Sequence, residues 1–230
     1  MKAAPTLPVK KTLFAETRYL LRHLYLTELR SGNNVSGLLL YALSTVFVCY
    51  WSLKHVEPEV WNAVFWIILM FSGINSVAKS FLQESRGQAL FFYTLASANA
   101  IILSRLIYNT GLLFLIALCS LALYTLLLTS PIVETALFLT AIFLGSVSLS
   151  SVFTLISAIA SRAGSSVTLM TVLGIPLLLP VLYLLIRYSA YALEPVINTQ
   201  LLLKDSVVLI LLNVVVVSVT LLVFPYLWRD

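Results

Sequence analysis

The chain has 230 residues, 60% of them hydrophobic and only 10% charged, with a formal net charge of +5. Such a composition is that of an integral membrane protein. A crossing takes about 20 mainly apolar residues, so the length holds six spans and no sizeable soluble domain. This excludes a catalytic head within the chain, and basic residues scattered between apolar runs point to loop bias rather than a nucleic-acid surface.

The opening segment, MKAAPTLPVKKTLF, has basic residues but no apolar run and small-residue cleavage site close behind, so no cleaved signal peptide is expected. Residues 10–31 have the period of an amphipathic helix. Thr12, Glu16, His23, Thr27 and Arg30 fall on one side, and Phe14, Leu21, Tyr25 and Leu29 on the other. Arg18 and Arg22 flank the apolar side, where they can snorkel toward headgroups. The segment is too charged to cross, so it is expected in the interface plane. The run Ser31-Gly32-Asn33-Asn34 breaks it. Residues 1–34 thus form an N-terminal region with an interfacial helix, and 35–230 a six-span transmembrane domain.

The spans are expected at about 35–53, 60–78, 100–128, 133–160, 167–186 and 207–226. The second opens with Trp61 and Trp66, expected as interfacial anchors. The third is longer than a crossing requires and must tilt or protrude. The fourth carries Ser146, Ser150, Thr154 and Ala158 at four-residue spacing, a stripe of small residues that lets helices pack closely. The fifth contains Pro176 and Pro180. Residues 187–206 are too apolar for an exposed loop and too polar for a crossing, and read as a partly buried or re-entrant hairpin broken at Pro195.

With the N-terminus cytoplasmic, that side holds Lys2, Lys10, Lys11, Arg18, Arg22, Arg30, Lys79, Arg86, Arg105, Arg162 and Arg229. The other side holds only Lys54, Arg187 and Lys204. The positive-inside rule then sets both termini and the 79–99 loop in the cytoplasm. No repeat of 20–50 residues is present, nor the matched Pro/Gly breaks of many secondary transporters.

Chemistry-bearing motifs are sparse. There is no Gly-x4-Gly-Lys-Ser/Thr phosphate loop, no His-Glu-x-x-His and no Cys or His pair at metal spacing. Ionisable residues barely enter the spans, with Glu134 at one mouth and Arg105 near the other, which argues against a proton pump built on buried carboxylates. The span serines lack a partner His for nucleophilic catalysis. His23 reads as a solvated residue of the amphipathic helix. His55, in the turn after the first span, reads as a loop residue or as a lone haem ligand. Cys49 and Cys119 read as small buried hydrophobes rather than a disulfide.

The polar interruption between the second and third spans, KSFLQESRGQALFFYTLASANAIILSR, carries most of the functional information. Glu84, Arg86 and Gly87 precede Leu90, Phe91 and Phe92, and a short polar stretch leads on to Arg105. A cytoplasmic helix of this kind docks in a partner's groove or lies on headgroups with its aromatics in lipid, and periodicity alone leaves both readings open.

The layout resembles the ABC-2-type export permeases, which combine an interfacial helix, six spans, a cytoplasmic helix between spans two and three, and an apolar outer hairpin between five and six. Glu84, Gly87, Leu90 to Phe92 and Arg105 follow an order found in many of them: an acid, a nearby Gly, an apolar segment, then a basic residue opening span three. Within that group the chain is most similar to the CcmB family, the membrane component of the haem exporter of cytochrome c maturation. The likeness rests on Ile159-Ala160-Ser161-Arg162-Ala163-Gly164-Ser165-Ser166 followed by the Pro-bearing stretch from Leu173 to Pro180. The chain departs from the family pattern at Arg86, which stands before Gly87 where an Asp is usual, at 90–92, which hold no acid, and at Ala96, where a Pro is usual.

The resemblance implies a non-catalytic membrane subunit in an all-α, ABC-2-type fold. It would work with a separate ATPase subunit, a haem-handling membrane protein and a haem chaperone, and ATP hydrolysis would release the haem-loaded chaperone at the periplasmic face. ATP would sit on the ATPase, haem on the partner proteins, and no cofactor on this chain. Two copies of the chain would stand in a bacterial inner membrane. Glu84, Arg86, Gly87, Leu90, Phe91 and Phe92 would meet the ATPase. The wider group implies, as the alternative, a permease exporting a lipid, glycan or drug, and from other classes a passive scaffold or an ion-driven transporter would share the composition.

Overall fold

The structure is a computed structural model that describes residues 13–31, 33–52, 56–82, 97–162 and 167–227. Among them are seven helices and no strand: α1 (Leu13–Ser31), α2 (Asn33–Ser52), α3 (Pro58–Leu82), α4 (Ala98–Leu127), α5 (Thr135–Arg162), α6 (Val167–Ala190) and α7 (Thr199–Leu227). For a chain this apolar a closed barrel is the one alternative to helices, because hydrocarbon offers backbone amides no partner and only a helix satisfies them within one segment. Three of the helices are long and apolar enough to cross a membrane over Ala98–Leu127, Thr135–Ala160 and Thr199–Phe224.

The bundle is built around α5. It packs on α3, α4, α6 and α7, and 61% of its most apolar window is buried, against 28% for α4 and 22% for α7. Its small residues permit this centrality. Ser146, Ser150, Thr154 and Ala158 are all buried, and Ser150 Oγ donates to the main-chain oxygen of Leu106 at 3.2 Å, so the α5 backbone lies close against α4. The outer helix α7 turns Val207, Ile210, Leu211, Val214, Val215 and Leu222 outward, as a lipid-facing surface requires.

The second helix of the bundle core is α3. Pro58 starts it, a position where its missing N–H costs nothing, and the amide of Trp61 closes the first turn on Glu57. Trp61 and Trp66 are not interfacial anchors: they are 1% and 0% exposed. Trp61 stacks on Phe65 at 6.0 Å and meets Tyr124 at 4.8 Å and Phe138 at 5.7 Å, forming an aromatic cluster across α3, α4 and α5. Trp66 lies against Gly145 of α5, whose missing side chain is the space the indole occupies.

The α1 helix does not lie flat across the bundle. Its Glu16 meets Ser97 at the start of α4, and its Tyr25 meets Tyr108 at 5.3 Å. Nine residues along α1 thus match eleven along α4, about 14 and 16 Å at the helical rise, so the two helices run side by side in the same direction. Thr17 and Leu20 are buried against the bundle, whereas Phe14 and Tyr19 face outward beside Arg18 and Arg22. Hydropathy places α1 in the interface plane on its charge. Arg18 and Arg22 instead stand on the outer face of a helix whose inner face packs on α4, and Glu16 meets the start of α4.

The expected hairpin at 187–206 is not a separate element. The α6 helix continues to Ala190 and α7 begins at Thr199, leaving a short connection that contains Pro195. The amides of Val133 and Glu134 both donate to the carbonyl of Ala192, at 2.9 and 3.0 Å, so this connection is pinned to the one between α4 and α5. Pro176 and Pro180 are accommodated inside α6 with exposed rings. The two cysteines are free and half-buried.

The tight seat of Trp66 yields a stability prediction. A Cβ at Gly145 would collide with the fully buried indole, so Gly145→Ala should cost about 1–3 kcal/mol. At Gly37, where a Cβ meets nothing within 4 Å, the same change should be neutral or slightly stabilising. Thermal unfolding of the two variants in one detergent compares them directly; equal midpoints would contradict the packing.

Candidate functional site

Glu84, Arg86, Gly87, Leu90, Phe91 and Phe92 lie outside the described residues, as does His55. What the structure describes is the frame around that segment. The helices before and after it, α3 and α4, run antiparallel, since Trp61 meets Tyr124 near one end while Gly73 lies against Leu113 further along. Leu82 and Ser97 therefore belong to the same end of the bundle, as do the end of α5 and the start of α6.

At this end Ser97 holds the N-cap position of α4, with extended backbone and no cap bond from its own side chain. The cap comes from another helix. Glu16 of α1 accepts from the Ser97 amide at 3.1 Å and from its hydroxyl at 2.8 Å. A carboxylate here meets both the unpaired donors and the positive end of the helix dipole. Two turns into α4, Arg105 is 7% exposed, an unusual depth for a guanidinium.

Of the α5 stripe, Ser146 donates to its own Ile142 carbonyl, Ser150 crosses to Leu106, and Thr154 accepts from the side-chain amide of Asn109 at 3.1 Å. Ala158 packs with Ile102 and Phe224, where α4 and α7 meet α5. The stripe thus joins three helices at the Ser97 end.

The opposite end is held by two polar clusters, neither apparent from periodicity. In the first, Ser189 of α6 is 0% exposed and accepts from Trp66 Nε1 at 2.8 Å. Its hydroxyl reaches both Asn62 Oδ1, at 2.8 Å, and the Leu185 carbonyl, at 2.7 Å. The Asn62 amide donates to the carbonyl of Ile186 at 2.8 Å, so α3 is clasped to the last turns of α6. In the second, Asp205 of α7 is 4% exposed and accepts from Arg187 Nε and from the Tyr191 hydroxyl, each at 2.8 Å. Burial, and then the bond to Asp205, hold the Tyr191 hydroxyl above the ordinary tyrosine range. Arg187, half-exposed, also lies in hydrogen-bonding range of Tyr183.

Asp205 corrects the expectation that ionisable groups barely enter the helices: it is a buried carboxylate on α7, matched by Arg187 across the connection. Opposite charges 18 residues apart, on the two sides of a proline-bearing turn, are the signal that points to it. Among the described residues no group of three or more His, Cys, Asp or Glu is arranged to hold a metal ion.

The seven described helices, with apolar outer faces, an aromatic core and polar clusters confined to their contacts, define a helical membrane protein. Comparison with protein-family models, with curated proteins and with solved structures finds no match.

The two outer clusters carry separate predictions. Ser189→Ala leaves the Trp66 N–H and the Asn62 oxygen buried without this partner, and should cost about 1–3 kcal/mol in thermal unfolding with a changed tryptophan emission. Around Asp205, a double-mutant cycle of Tyr191→Phe and Asp205→Ala should be non-additive by at least about 0.5 kcal/mol, since the two groups share one bond. Strict additivity would show that the bond contributes nothing.

Proposed function

We propose that the chain is the membrane subunit of an ABC complex of cytochrome c maturation, within the six-span ABC-2-type group. A separate ATPase binds its 79–99 segment and uses ATP hydrolysis to release a haem-loaded chaperone from a haem-handling partner at the opposite face. The membrane is a bacterial inner membrane, with both termini and the 79–99 segment in the cytoplasm and two copies of the chain in each complex. The chain itself performs no chemistry; ATP is held by the ATPase and haem by the partner proteins.

The observation that carries this reading is the division of charge between the two ends of the bundle. The antiparallel course of α3 and α4 brings the 79–99 segment out at the end to which Arg105 and Arg162 belong, whereas Arg187 and Lys204 belong to the other. That end meets the positive-inside rule as the cytoplasmic one, and the resemblance in sequence supplies the kind of partner. In this mechanism the ATPase displaces the segment bearing Glu84, Arg86, Gly87, Leu90, Phe91 and Phe92. The packed helices carry the displacement to the face bearing the Asp205 and Ser189 clusters. The close packing of α5 on α3 and α6, with Trp66 seated against Gly145 and bonded to Ser189, suits such a transmission.

The test is recovery of the native complex in mild detergent, from wild type and from charge reversals. Wild type should co-purify an ABC ATPase and a haem-handling membrane protein, and Glu84→Lys or Arg86→Glu should lose the ATPase. Retention of the ATPase by both variants refutes the interface. An ATPase without any haem-handling partner favours a permease for lipid, glycan or drug. No ATPase at all refutes the class.

A further inference from the structure

Asn109 lies on the side of α4 that meets α5, one turn beyond Arg105, and is 1% exposed. Its amide nitrogen donates to Thr154 Oγ1 at 3.1 Å, and its Oδ1 has no partner among the described residues. Turning the amide over does not resolve this. The Thr154 hydroxyl would then donate to the oxygen, and the nitrogen would be left without an acceptor. Either way, one end of a fully buried amide points into the seam unpaired. It sits beside Thr154, on a stretch of α5 where Ser150 and Ala158 are buried as well.

The seam repeats the pattern. Ser120, eleven residues further along α4 and so almost in line with Asn109 after three turns, also has a buried hydroxyl with no partner among the described residues. An unpaired buried polar group costs about 1–3 kcal/mol. Lipid cannot supply the missing bond, because hydrocarbon carries neither donor nor acceptor.

We propose that the α4–α5 seam binds internal water, held principally by Asn109. Water is the ligand whose hydrogen bonding suits this site. It donates and accepts, so it completes the amide in either orientation, whereas a cation suits only an outward oxygen and an anion only an outward nitrogen. The Ser150 and Thr154 hydroxyl oxygens border the seam and retain lone pairs, which supplies the two or more polar partners a buried water needs. A seam hydrated in this way differs from a sealed apolar contact. Its cross-helix bonds can exchange with water as α4 moves along α5, so this contact can shift without leaving a polar group bare.

Radiolytic footprinting of the chain in lipid nanodiscs tests this, because a bound water generates hydroxyl radical in place and oxidises buried side chains beside it. Leu113, one turn beyond Asn109 and 1% exposed, should be oxidised several-fold more than Ile142 and Leu185, which are both 0% exposed. On rapid mixing with oxygen-18 water, the ring-hydroxylated product at Phe153, beside Leu113 and 1% exposed, takes its oxygen from the radical itself and should keep oxygen-16 longer than such products at exposed aromatic residues. Asn109→Leu should abolish the excess. Oxidation at Leu113 no greater than at Ile142 and Leu185 overturns the proposal, as does immediate uptake of oxygen-18 or an unchanged excess in Asn109→Leu. Should that variant fail to fold, the wild-type comparison and its isotope arm decide alone.

Discussion

The lack of hydrogen-bond partners in hydrocarbon governs this molecule at every level. It makes the backbone helical, and then dictates where polar side chains can stand. Trp66 shows the result most fully. Its ring fills the space above Gly145 of α5, and its one N–H is met by Ser189 of α6, itself engaged with Asn62 of α3. One indole therefore fixes the relation of three helices. Each of its contacts requires a particular neighbour: a glycine for room, a hydroxyl for the N–H, an amide to complete the set.

The two ends of the bundle meet the same constraint differently. Beside the α6–α7 connection, bonds are short and shared, with Asp205 taking both Arg187 and Tyr191 and the Ala192 carbonyl taking two amides. Toward Ser97, the contacts are a carboxylate on a helix terminus, a deep guanidinium and an amide with one end unmet. The first end is built to hold its shape. The second has bonds that can be exchanged for water, which suits the end at which a partner is proposed to push.

Helix existence is readable from apolar runs because a long run has few other solutions, and Ser146, Ser150, Thr154 and Ala158, at four-residue spacing, all lie buried on α5. Lateral placement is not readable. Trp61 and Trp66 stand near the start of an apolar run, the usual position of interfacial tryptophans, and only the coincidence of Gly145 and Ser189, about 80 and 120 residues away, makes that site a core. The polarity of 187–206 resembles that of a hairpin when each charge is weighed alone; paired, Arg187 and Asp205 let both helices run on. The α1 helix reads as interfacial for a related reason. Its arginines Arg18 and Arg22 describe only the face it turns away from α4, and its Glu16 meets the start of that helix. The residues proposed for docking, Glu84 to Phe92, lie outside the described residues, and their reading rests on sequence.

The bond between Glu16 and Ser97 joins positions 81 residues apart. During synthesis α1 emerges first, yet its capping partner exists only after α2, α3 and the segment beyond them have been made. Closing so long a loop is slow compared with forming a single helix. Until then the inner face of α1, with Thr17 and Leu20, has no α4 to cover it. The arrival of α4 is then the step that gives α1 its packing partner, so this contact closes late in the making of the fold.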